Sequence, residues 1–95
     1  YFVSEFGGIW WNPRAKPGDA SWGYGPRPPS WEEFYARFEK LCRVLLDNPR
    51  MFGYCYTQLT DVYQEQNGIY FFDRKAKYDL KRVRAAQQRE AAIEK

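Results

Sequence analysis

Ninety-five residues fit one small domain at most, and 20% of them are aromatic, more rings than a thin core needs. The absence of histidine excludes Ser-His and Cys-His nucleophile activation, so any acid or base chemistry must rest on carboxylates. The formal charge of +3 sits in the tail, where residues 74–95 carry eight Lys/Arg against three Asp/Glu; no apolar run approaches the roughly 20 residues of a membrane helix.

The chain opens on Tyr1–Phe6, a short run of β-formers that reads as the middle of a buried strand and suggests a piece of something longer. Gly7-Gly8 stops it, which puts Glu5 at the strand's C-terminal end. From Gly7 to Pro29 the chain gathers most of its Pro and Gly together with Trp10, Trp11, Trp22 and Tyr24. A flexible linker lacks so many rings, and an ordered loop of this length usually serves a site.

Ser30-Trp31-Glu32-Glu33 is a capping box, and it starts a helix. Apolar residues from Trp31 to Leu46 then recur at three- and four-residue steps, a stripe that must lie against a sheet or another helix. Asp47-Asn48-Pro49 ends it, because proline disfavours helix at the residue before it. Met51–Leu59 reads as a second buried strand, Asn67-Gly68 as a turn, and Ile69–Phe72 as a short extended piece. Asp79 is a cap for a last helix from Leu80 to about Ala92. Cys42 and Cys55 fall in apolar segments and read as buried reduced thiols.

Strand, long loop, helix, strand, loop, helix is the order of parallel α/β architectures, whose two βα units cannot cover their own sheet edges. Sugar-cleaving barrels place catalytic carboxylates at strand ends and stack sugar faces on flat rings. From the residues alone, Glu5 is either such a carboxylate or a surface or cap residue.

Ser4-Glu5-Phe6-Gly7-Gly8 resembles the nucleophile strand of glycoside hydrolase family 2, the β-galactosidase, β-glucuronidase and β-mannosidase group. The run from Gly53 to Val62, followed by Asn67-Gly68-Ile69 and Arg74-Lys75-Ala76-Lys77, is similar to that family's final barrel strand, its Gly-Ile/Leu turn and its basic stretch. The resemblance covers nearly the whole chain. It implies an α/β fold in which residues 1–95 are an incomplete domain, about strands seven and eight of a (β/α)8 TIM barrel. It also implies a retaining β-glycosidase acting on terminal β-linked sugars, with Glu5 as the nucleophile. The acid/base carboxyl, roughly 5 Å away in a retaining enzyme, would come from an earlier strand outside this chain.

Where many family members carry Trp followed by Asn or Asp, this sequence has Thr57-Gln58. The sugar-facing ring must then come from elsewhere: Trp10, Trp11 and Trp22 are candidates, with packing on the neighbouring helix as the alternative. Gln58 and Asp61 are candidates for sugar hydroxyls, Asp61 equally for orienting the following loop. A carbohydrate is the expected partner, with no cofactor, metal, nucleic acid or membrane, and the isolated chain should self-associate through its unpaired strand edges. The rival readings are an aromatic-rich module that binds glycan or nucleic acid without chemistry, and a barrel piece that serves only as a scaffold. Arg74, Lys75, Lys77, Lys81, Arg82 and Arg84 either grip phosphates or form a solvated helix face. Nucleic-acid binding needs rings and cations on one face, whereas here the rings cluster at residues 1–72 and the cations at 74–95.

Overall fold

The computed structural model describes residues 1–11, 13, 14, 28 and 30–95. Among them the order is strand β1 (Phe2–Gly7), helix α1 (Trp31–Leu46), strand β2 (Gly53–Thr57), helix α2 (Leu80–Gln87) and a 3-10 turn at Ala92–Glu94. β1 and β2 form a two-stranded parallel sheet, as the βα order requires. The molecule is thus an α/β structure.

α1 begins where the capping residues put it. Ser30 is extended, and its hydroxyl accepts the Glu33 amide at 3.2 Å, satisfying one of the donors that a helix start leaves over. Phe34, Tyr35, Phe38, Cys42 and Leu46 are buried along one face. Asp47 closes the last turn by donating its amide to the Arg43 carbonyl. The apolar face of α1 lies on the sheet side of the molecule, with Phe38 edge-on to Tyr56 of β2 at 5.2 Å and Phe6 of β1 edge-on to the same ring at 5.2 Å. Tyr78, from the segment before α2, stacks on Phe34 at 3.7 Å between ring centroids. Full burial of a side chain such as Phe34 or Phe38 contributes about 1.5–3 kcal/mol, so these rings carry much of the core.

α2 crosses α1 through charge. Arg82 joins Glu39 at 3.0 Å and Glu32 at 3.3 Å with its guanidinium 4.3 Å from the Tyr35 ring, and Arg89 joins Asp47 at 2.7 Å. The basic tail is therefore in part the electrostatic partner of individual carboxylates on α1 and at its C-cap. α2 is shorter than the expected Leu80–Ala92: Val83 is its one buried residue, and Gln88, Arg89 and Glu90, which follow it, are all exposed. Asp79 caps it as expected, accepting the Lys81 amide at 3.0 Å.

Two local readings change. Ile69–Phe72 forms no strand: Tyr70 makes only isolated bridges, to Thr60 and to Ala76. Cys55 is exposed while Cys42 is buried, because side chains alternate along a strand and the neighbours Tyr54 and Tyr56 occupy the other face. Tyr56, on that other face, packs against Phe38 of α1. No described helix is long and apolar enough to cross a membrane.

Candidate active site

Parallel pairing brings the C-terminal ends of the two strands together. Gly7 pairs with Thr57, and the Gly8 amide donates to the Thr57 carbonyl at 2.7 Å. Between Val3 and Phe6 the register slips by one residue against Tyr54 and Tyr56, so β1 bulges at Ser4-Glu5. A bulge re-aims a side chain, and here it lies beside Glu5, which is exposed while the adjacent Phe6 packs against the core. Beyond it the chain needs glycine. Gly7 has φ +93°, and a Cβ on it would stand 2.4 Å from the Tyr56 ring; Gly8 has φ +61°. The two glycines let the backbone turn away from the sheet directly after the carboxylate. The Thr57–Gln58 peptide at the end of β2 is cis.

Past the strand ends the two loops are tied by one lysine. Lys77 Nζ, wholly buried, donates to Asp61 Oδ1 at 2.6 Å, to the Trp11 carbonyl at 2.8 Å and to the Gln66 carbonyl at 3.2 Å. Three acceptors use the three N–H bonds of an ammonium, whereas a neutral amine has only two to give. Burial pulls the Lys77 ammonium below the ordinary lysine range, while the hydrogen bond to Asp61 and its negative charge pull the other way. We take Lys77 as charged on the strength of that donor count. Asp61 Oδ1 also accepts the Gly68 amide at 2.8 Å. Gly68 is required there, since a Cβ would stand 2.3 Å from the Asp61 nitrogen. Asn67-Gly68, expected as a turn, is instead buried against the Asp61 backbone.

No protein-family model matches this sequence, and no curated protein matches it.

The candidate residues therefore stand on geometry. Glu5 is accessible at the strand end. Gln58 donates from Nε2 to the Glu65 carbonyl at 3.2 Å and lines a cavity of about 510 Å³ between the β2 end and α2, with Tyr56, Ile69, Tyr70 and Val83. Asp61 is engaged by Lys77 and Gly68, the loop-orienting alternative for that residue. Trp11 is buried, edge-on to Trp31 at 4.4 Å, and its ring belongs to the core cluster, so it packs on the neighbouring helix. Trp10 beside it is half-buried, and Trp22 lies outside the described residues. Among the described residues no group of three or more His, Cys, Asp or Glu side chains is arranged to hold a metal ion.

Sequence reasoning missed the role of Lys77. It stood in a basic run beside Arg74 and Lys75, and nothing local separates a buried lysine from its exposed neighbours. The available signal was weak: Ala76 and Tyr78 flank it, and Asp61 waits 16 positions upstream.

Proposed function

We propose that the chain is the C-terminal part of the (β/α)8 barrel of a retaining β-glycosidase resembling glycoside hydrolase family 2, and that Glu5 is its nucleophile. What carries the reading is the exposed Glu5 at the bulged C-terminal end of a strand paired in parallel, followed by a turn that only glycines make easily. In such a barrel the catalytic groups stand at strand ends, and the helix-covered face lies outside. The faces of β1 and β2 are divided in that way, with Phe6 and Tyr56 packed under α1 while Glu5 and Cys55 stay exposed. Both outer edges of the two-stranded sheet lack a neighbouring strand among the described residues, as barrel strands seven and eight would without the rest, and self-association of the isolated chain belongs to the same reading.

In this mechanism a Glu5 carboxylate oxygen attacks the anomeric carbon as the bond to the departing oxygen breaks. That oxygen takes a proton from a second carboxyl outside this chain. The same carboxyl, now a carboxylate, removes a proton from water, whose oxygen displaces Glu5 and restores the carboxylate. Glu5→Gln keeps the shape and loses the nucleophile. In the full-length protein that supplies the second carboxyl, hydrolysis of activated β-glycosides should fall far more than tenfold with the fold intact by circular dichroism, and a 2-deoxy-2-fluoro glycoside should label Glu5; the isolated chain should not hydrolyse sugars. Turnover within about tenfold of the parent, about 1.4 kcal/mol in barrier, would remove Glu5 from the nucleophile role.

A further inference from the structure

The segment 61–73, which follows the C-terminal end of β2, carries two rings that the core does not use. Tyr63 is 76% exposed and Phe72 56% exposed, yet they lie together, with centroids 5.7 Å apart and planes inclined by 33°. Tyr63 is also the wrong residue for its backbone. The Val62 and Glu65 amides each donate to the other's carbonyl, closing a tight turn in which Tyr63 has φ +50°. Gly, Asn or Asp takes that conformation at least cost, and a bulky residue there is an outlier. Arg74, two residues after Phe72, is the other described non-glycine with positive φ, at +72°. The chain thus holds an aromatic ring in an unfavourable backbone conformation and leaves it in water, so neither propensity nor burial accounts for it.

Beside the rings is a cleft of about 240 Å³. Arg14 and Asp73 line it and pair with each other at 3.1 Å, and the Arg14 guanidinium lies 3.6 Å from the centroid of the Phe71 ring. Gln66 lines it as well, and its Oε1 is buried with no hydrogen-bond partner among the described residues. Donor and acceptor therefore stand side by side next to two flat apolar faces.

We propose that Tyr63 and Phe72 form a stacking platform for a pyranose unit of a β-linked oligosaccharide, with Arg14 and Asp73 holding its hydroxyls. A pyranose has an apolar C–H face and a rim of hydroxyls that both donate and accept, which matches two rings beside a carboxylate-guanidinium pair. An apolar peptide would leave that pair desolvated. A phosphate would oppose Asp73, whose carboxyl is held below its usual range first by the Lys75 amide and then by Arg14. The choice of a sugar rests on the glycosidase reading, and the platform lies at the same end of the strands as Glu5. It would hold a unit beyond the bond that Glu5 attacks.

The test is a calorimetric titration of the protein with cellotetraose, xylotetraose, β-1,4-galactotetraose and chitotetraose, repeated on Tyr63→Ala, Phe72→Ala and Tyr63→Trp. Both rings are exposed, so the alanine variants should keep the parent's melting temperature. At least one tetraose should bind, losing affinity by about tenfold in each alanine variant and keeping it in Tyr63→Trp. Because binding is read without turnover, an inactive Glu5 or a wrong nucleophile assignment leaves this result unaffected. Binding of none of the four sugars would overturn the platform, as would binding that both alanine variants retain. So would a Tyr63→Ala effect confined to self-association, which would make the rings a contact between copies of the chain.

Discussion

The interior has two regions that hold together by different means, and the contrast shows which substitutions should matter. Under the sheet, Phe34, Phe38, Tyr56 and Tyr78 pack ring against ring, a region whose stabilisation grows with each area removed from water and is shared among many contacts. Beyond the strand ends, Lys77, Asp61 and the carbonyls of Trp11 and Gln66 form a polar knot whose members depend on one another. Burying two charges gives little net stability, yet removing one leaves its partner buried and uncompensated. The ring core should therefore yield gradually and the knot abruptly.

The largest expected effect breaks the knot. Lys77→Met should cost about 3–5 kcal/mol in urea unfolding, because Asp61 is left charged and buried. Asp61→Leu combined with Lys77→Met should recover part of that loss, since no lone charge remains. A double variant no more stable than Lys77→Met alone would show that the knot does not act as a unit.

A smaller effect separates the regions by pH. Burial pushes the Cys42 thiol up from 9.0 to about 11, helped by the charge of Glu39. The unfolded chain gives up this proton first as pH rises, so the contribution is whole below pH 9 and lost by about pH 11. Tyr56 and Tyr78 are raised by burial too and act in the same direction at higher pH. Cys42→Ala should flatten the fall in melting temperature between pH 9 and 11; an unchanged slope would put the thiol in contact with water.

The smallest effect is a gain or nothing. The Tyr56 hydroxyl is buried without a hydrogen-bond partner among the described residues, so it contributes desolvation and no bond. Tyr56→Phe should leave stability unchanged or raise it by up to about 1 kcal/mol. A loss beyond that would reveal a partner for the hydroxyl and make the ring core partly polar as well.

Much of the scaffold was legible from local chemistry. The Ser30 cap, the stripe of α1, its stop at Asp47 and the cap at Asp79 all depend on contacts three or four residues apart, or on one side chain and its own backbone. The parallel pairing of β1 and β2 followed from a helix lying between them. Glu5 could be placed at a strand end because Gly7-Gly8 must interrupt the strand. Tyr63 and Phe72 were not legible as a pair, since their meeting depends on how residues 62–72 fold back.

By itself the sequence determined the two strands and two helices, their order and the end of the strand on which Glu5 stands, since backbone preference and hydrophobic period are properties of short segments. Only the tertiary structure decided which face of β2 meets α1, because a period of two marks two faces without saying which is covered. It also decided that Trp11 packs in the core and that Lys77 is buried. The acceptors of Lys77 lie 66, 16 and 11 positions away, and a contact over such distances exists only once the loops after both strands have come together.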